Sequence, residues 1–262
     1  MRYKILAPGE AAGVSENCCA LAVMAKAPRP GKVKTRLSPP LTPEQASELN
    51  ICFIRDTTEN VQHITEISSS AGLVAYTPVG DEAAFDGLLP SGFRLLPQRG
   101  QGFGERLLYV CEDLFAAGFG AVCLIDSDSP TMPQHALRQA VESLSREGDR
   151  MVLGGSDDGG YYLLGIRRLH PRLFEQIDWS TERVFHQTLE RAKEIGLSTE
   201  LLPNWYDVDD AATLERLRQE LAATEPAASE PAASEPEGYD AGHTRLFLRS
   251  LRVESISQGP AC

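Results

Sequence analysis

An apolar run ends abruptly in a Pro/Gly loop crowded with cations: Val23-Met24-Ala25-Lys26-Ala27-Pro28-Arg29-Pro30-Gly31-Lys32-Val33-Lys34-Thr35-Arg36-Leu37. Cys19 to Ala25 is apolar enough to be a buried parallel strand, and helical patterning resumes only at Thr42-Pro43. The loop therefore follows the carboxyl end of a strand, where open α/β sheets bind ligands. In a chain of formal net charge -12, so dense a positive cluster calls for an anion, and phosphate is the obvious one. Gly31 permits close backbone approach; Lys26, Arg29, Lys32, Lys34 and Arg36 neutralise charge; Thr35 adds a hydroxyl donor. A nucleotide-kinase P-loop does not fit, because Lys26 stands where its first Gly is needed and Val33 where Ser or Thr must follow Lys32. The bland alternative is a solvated basic loop.

The 262 residues, 42% hydrophobic and 24% charged, suit one main globular domain with a substantial core. No apolar run approaches the roughly 20 residues that span a bilayer, and residues 1–18 lack a signal-peptide core, so a cytoplasmic location is expected. The six cysteines (Cys18, Cys19, Cys52, Cys111, Cys123, Cys262) form no C-x-x-C pair, which predicts reduced thiols and no zinc. The acidic balance argues against general nucleic-acid binding.

Strand and helix signals alternate. Thr42-Pro43-Glu44-Gln45 is a capping box ahead of Ala46, Leu49, Phe53, Ile54 and Val61 at helical spacing. Strands are predicted at Gly72 to Thr77, Phe93 to Leu96, Ala121 to Ile125, Met151 to Leu153, Tyr161 to Ile166 and Thr199 to Leu202. Helical faces fall at Leu107 to Phe115, Leu137 to Leu144, Val184 to Ile195 and Leu214 to Leu221. This alternation predicts a three-layer α/β/α sandwich. We expect an N-terminal extension (1–18), a catalytic domain (19–222), a flexible Pro/Ala/Ser/Glu linker (223–240) containing the repeat Glu225-Pro226-Ala227-Ala228-Ser229, and a tail (241–262) of unread role.

Acids follow three of these strands. Asp126 and Asp128 are spaced two apart after Ile125, so in an extended segment both face one side, suited to a hard cation such as Mg²⁺ or Mn²⁺; the alternative is a turn cap. Asp157-Asp158-Gly159-Gly160 and Asp207-Val208-Asp209-Asp210 repeat the arrangement. Between a strand and a helix lies Gln98-Arg99-Gly100-Gln101-Gly102-Phe103-Gly104, where backbone N–H groups such as that of Gly102 are expected to meet a base edge or a phosphate and Gln101 a nucleobase.

Ala25-Lys26-Ala27-Pro28, Gly31, Val33 to Leu37, then Asp126-Ser127-Asp128-Ser129-Pro130, Asp158-Gly159-Gly160-Tyr161-Tyr162-Leu163-Leu164-Gly165 and Asp207-Val208-Asp209 together resemble the DUF2064 transferases, over about residues 19–222. These are bacterial members of the GT-A superfamily of nucleotide-diphospho-sugar transferases, some associated with radical-SAM or selenodomain proteins or with arsenosugar biosynthesis. The resemblance implies a Rossmann-like, mixed and mostly parallel sheet, nucleotide held by the first loop and a divalent metal by the acidic strand end. The chain is also similar to molybdenum-cofactor and phospholactate nucleotidyltransferases, although Pro28-Arg29-Pro30-Gly31 replaces their usual Gly-Gly-x-Gly-x-Arg loop.

The leading expectation is a metal-dependent glycosyltransferase acting on a nucleotide-sugar and a small acceptor. Lys26, Lys34 and Arg36 would hold the diphosphate, Asp128 with Asp126 the metal, and Asp158 or Asp209 would complete the metal shell or accept the acceptor's proton. The alternative is a nucleotidyltransferase joining NMP from an NTP to a phosphorylated small molecule. A catalytically silent nucleotide-binding module is a third reading, and no Gly-x-Ser-x-Gly elbow supports a hydrolase.

Overall fold

The computed structural model describes residues 3–223 and 238–257. An eight-stranded sheet runs in the order β1-β4-β3-β2-β5-β7-β6-β8, where β1 is Lys4–Ile5, β2 Cys19–Lys26, β3 Ser70–Thr77, β4 Arg94–Pro97, β5 Ala121–Ile125, β6 Arg150–Ser156, β7 Tyr161–Ile166 and β8 Ser198–Trp205. Strand β7 alone runs antiparallel, to both β5 and β6; every other pairing is parallel. The carboxyl ends of β2, β5, β6 and β8 therefore share one edge with the start of β7, and the basic loop and all three acid groups issue from that edge.

The expected sandwich is the observed one. Helices α1 (Pro43–Ile67) and α3 (Gln134–Ser145) pack Ile54, Val61, Ile64, Leu137 and Leu144 onto one sheet face; α2 (Phe103–Ala116) and α4 (Val184–Glu194) set Leu107, Val110, Leu114 and Ala192 against the other. A side chain such as Ile54 or Leu114, fully shielded from water, contributes about 1.5–3 kcal/mol by burial. The Thr42 capping box forms as read: the Gln45 amide donates to Thr42 Oγ1 at 3.2 Å, and the Thr42 amide to Gln45 Oε1 at 3.0 Å. Strands β6 and β8 run farther than their apolar cores indicated, because ladder pairing carries Gly154 to Ser156 and Pro203 to Trp205 to the sheet edge.

A third core is small but decides the site. Leu37 and Leu41 from the basic loop meet Leu49 and Phe53 of α1, Tyr206 and Val208 from the loop after β8, and Leu214, Leu217 and Leu221 of α5 (Ala211–Ala223). It pins the basic loop to the third acid loop.

The segment 1–18 contributes β1, whose Lys4 and Ile5 pair with Arg94 and Leu95. The expected linker lies, over 224–237, outside the described residues. The tail forms α6 (Gly242–Ser257) against α1. Asp56 accepts from the amides of His243 (3.0 Å) and Thr244 (2.9 Å) and from Thr244 Oγ1 (2.6 Å), so a buried α1 carboxylate satisfies the free N–H groups of another helix's first turn. Burial pushes the Asp56 carboxyl up, and the Thr244 and His243 donors oppose that. Glu59 accepts from His243 Nε2 at 2.7 Å, and these hydrogen bonds account for the approach of Asp56, Glu59 and His243 within 4.8 Å. Asp56→Ala is expected to cost about 1–2 kcal/mol and to expose α6 to protease before the sheet unfolds; a variant as stable and as resistant as the parent would contradict this docking role.

The five described cysteines are free thiols. No described helix is long and apolar enough to cross a membrane.

Candidate active site

Lys34 is the hub. It leaves the basic loop in the left-handed region (φ 46°), a strained conformation for a residue with a Cβ, and runs inward under the loop. Its side chain is 4% exposed, and its ammonium lies 2.9 Å from Asp128 Oδ1, 3.1 Å from Asp209 Oδ1 and 2.7 Å from the Val208 carbonyl. Burial alone would push the ammonium's pKa down, but Asp128 and then Asp209 outweigh it and hold it above the usual lysine range. A backbone hydrogen bond from Val208 N to Asp128 O (2.9 Å) ties the two acid loops together beside it.

The predicted meeting of amino-terminal cations and mid-chain acids therefore occurs, but Lys34's part in it changes. An ammonium has three donors, and all three are engaged by protein oxygens, so Lys34 neutralises the carboxylates and has no donor spare for a diphosphate.

A cavity of about 360 Å³ opens over this hub. Lys26, Lys32, Thr35 and Arg36 from the basic loop line it, facing Gln98, Phe103 and Arg106 from the β4–α2 segment. Gly31 is not among its lining residues; it takes φ +69° on the loop's outer side. Arg29 is turned away in an ion pair with Asp81. Neither Gln101 nor Gly102 lines the cavity, and both amides donate to Glu105 Oε2 (2.8 and 3.2 Å) in a capping arrangement that opens α2. The Gly102 amide is thus already engaged within the protein, Gln101 stands outside the cavity lining, and Gln98, Phe103 and Arg106 are what the segment presents. The available sequence signal was Glu105 in the first turn of α2, whose carboxylate reserves those amides.

A second cavity, about 450 Å³, adjoins the first and shares Arg36, Phe103, Asp128 and Asp209 with it. Asp126, Asp158 and Asp207 line it from the ends of β5, β6 and β8. Burial, then the charge of Asp128, pushes the Asp126 carboxyl well above its ordinary range; Ser129 Oγ donates to Asp126 Oδ2 at 2.9 Å, while Oδ1 is buried without a partner among the described residues. Burial likewise raises Asp207, despite a 2.7 Å hydrogen bond from Ser156 Oγ. Asp158 Oδ1 accepts the Gly160 amide at 2.8 Å, fixing the turn that aims it inward. Asp157 and Asp210 are diverted, the first to Arg216 (2.7 Å), the second to the Thr213 amide (2.8 Å) at the start of α5.

The far wall, which sequence patterning missed, comes from the irregular stretch after β7: Trp179, Ser180, Thr181 and Glu182. Trp179 packs edge-on against Phe103, ring centroids 5.5 Å apart. It sits there because Gly104 has no side chain; a Cβ would lie 2.6 Å from Trp179 Cε2. Gly104, a poor helix former in the first turn of α2, was the available signal.

A mixed sheet with a basic loop after β2 and acids after β5, β6 and β8 defines the nucleotide-diphospho-sugar transferase type of fold. Among solved structures the chain is similar to the "putative nucleotide-diphospho-sugar transferase" of Desulfovibrio desulfuricans G20, with 26% identity and TM-score 0.75 over 93% of this chain and 98% of that one. In fold alone it is similar to a nucleotidyl transferase from Methanothermobacter thermautotroptrophicus (16% identity, TM-score 0.53, 80% of this chain and 100% of that one). The same holds for a 4-diphosphocytidyl-2C-methyl-D-erythritolsynthase from Anaerococcus prevotii DSM 20548 (9% identity, TM-score 0.51, 79% and 97%). The family model of DUF2064, described as an uncharacterized protein conserved in bacteria, matches residues 60–181, a stretch that holds the motifs at Asp126–Pro130 and Asp158–Gly165. A search of curated proteins finds no match.

Proposed function

We propose that this chain is a transferase that binds a nucleotide-diphospho-sugar in the first cavity and passes the glycosyl group to a small acceptor in the second, with Mg²⁺ or Mn²⁺ at Asp126 and Asp128. The observation that carries the reading is the junction of two cavities of opposite character at Asp128 and Asp209, one rimmed by Lys26, Lys32, Arg36 and Arg106, the other by carboxylates. A nucleotidyl transfer needs phosphate-binding groups on both sides of that junction; a glycosyl transfer needs them on one.

The residues present fit the cation. Asp126 Oδ1 is a buried oxygen without a partner, next to a second carboxylate, and a hard cation of this kind is commonly held by one or two carboxylates plus substrate phosphates. Bound there, it would supply positive charge toward the departing nucleotide diphosphate. The chain's own groups do the rest in this scheme. Arg36, at the boundary of both cavities, and Lys26, Lys32 and Arg106 hold phosphate oxygens. Lys34 locks Asp128 and Asp209 in place. Asp209 is held in its ion pair with Lys34, which leaves Asp158 to take the acceptor's proton.

The test pairs binding with product. Thermal stabilisation by nucleotide-sugars in Mg²⁺ or Mn²⁺, followed by release of nucleoside diphosphate, is the expected result; stabilisation by triphosphates alone with pyrophosphate release would replace this reading with nucleotidyl transfer. Asp126→Asn should reduce turnover on the order of 10²-fold without lowering Tm, because the carboxyl it replaces is already disfavoured as an anion by burial. An Asp126→Asn enzyme of undiminished, metal-stimulated activity would remove Asp126 from the scheme.

A further inference from the structure

The second cavity is built to refuse phosphate, and from this we infer that the acceptor is a hydroxyl-bearing molecule without net negative charge, neutral or cationic. The inference rests on the transfer reading above and deepens it. Asp126, Asp128, Asp158, Glu182, Asp207 and Asp209 line this cavity, and among the described residues the one cation lining it is Arg36, which also faces the nucleotide side. The charge of Lys34 is spent on Asp128 and Asp209. A divalent cation at Asp126 and Asp128 would be taken up by those carboxylates and the donor's diphosphate, so a phosphorylated acceptor would still meet Asp158, Glu182, Asp207 and Asp209 and a single guanidinium, where phosphate sites use several charge-assisted donors.

The cavity also offers what a polyol needs. Hydroxyl groups donate to carboxylates in short, charge-assisted hydrogen bonds. One buried polar atom on a lining residue that the metal would not take, Tyr161 Oη, has no partner among the described residues, and a phenol both donates and accepts. Trp179 and Phe103 add an aromatic wall suited to the apolar face of a sugar or to an ammonium group.

Trp179 makes the test independent of turnover. In a Trp205→Phe background, with Mg²⁺ and nucleoside diphosphate present, its fluorescence is titrated with glycerol, glucose and glucosamine and with glycerol 3-phosphate, glucose 6-phosphate and glucosamine 6-phosphate. The unphosphorylated member of each pair should bind at least tenfold tighter, and Glu182→Arg should narrow that ratio about tenfold. Equal or tighter binding of the phosphorylated members, or no response to either, overturns the inference. Thermal stabilisation by nucleotide-sugars judges the donor reading separately, so a failure there and a failure here are told apart.

Discussion

Replacing Lys34 with Met is expected to produce the most damaging side-chain variant at this site, in stability and in turnover together. Met keeps most of the volume beneath Leu37 and Phe53 but removes the cation shared by Asp128, Asp209 and the Val208 carbonyl. Removing one partner of a deeply buried ion pair can cost 3–5 kcal/mol. Here the two carboxylates are 37% and 44% exposed and regain water, so the cost falls to about 2 kcal/mol. That lowers Tm by about 4–8 °C for a chain of this size. Turnover should fall on the order of 10²-fold, because two carboxylates that now repel each other move away from a position that must hold within about 1 Å. The pH dependence has a definite sign. A lysine held above its ordinary range gives its full contribution below that range and loses it only as pH rises through the elevated value. The difference in stability between parent and variant should therefore stay constant from pH 6 to 9. Unfolding in urea across that range, with initial rates, is the measurement; a Lys34→Met enzyme with parental Tm and rate would show that Lys34 is not the lock.

Where the sequence succeeded and failed follows from what each signal encodes. Acids and cations placed directly after apolar strands could be assigned to one sheet edge, because helical crossovers enforce parallel strands whose carboxyl ends coincide. Asp126, Asp128, Asp158 and Asp209 were assigned to that edge this way, and all four line the second cavity. What such reasoning cannot supply is direction at the level of one side chain. Lys26, Lys32, Lys34 and Arg36 look interchangeable in the sequence, and only the left-handed turn at Lys34, with Leu37 buried three residues on, drives that one ammonium inward. The β4–α2 segment misled for a related reason: its glycines suggested free amides, yet Glu105 on the first turn of α2 claims both. Trp179 and Glu182 were invisible because the stretch from Arg167 to Arg183 carries no period to read, and its place is set by contacts with Gly104 and Gly159, remote in sequence.

That last contact sets up the second large effect, Gly159→Ala. Gly159 has φ +88°, and a Cβ there would stand 2.6 Å from both the Cα and the carbonyl carbon of Glu182. The obstruction is backbone, so no side-chain rotation relieves it. The turn is also held from both sides, by Gly159 N to Ser156 O at 3.0 Å and by Phe185 N to Gly159 O at 2.8 Å. One added methyl must therefore part the β6–β7 turn from the Trp179–Glu182 wall, at a cost of about 2–4 kcal/mol from strain and overpacking together. Gly31→Ala separates the two contributions. Gly31 shares the left-handed conformation (φ +69°) but has open space where the methyl would go, so it should lose only about 1 kcal/mol. Because Asp158 and Glu182 lie on opposite sides of the contact, Gly159→Ala should also depress acceptor-dependent turnover on the order of 10²-fold while leaving donor binding at the cationic cavity near parental. If instead Gly159→Ala weakened donor binding and spared the acceptor step, the assignment of the two cavities would have to be exchanged.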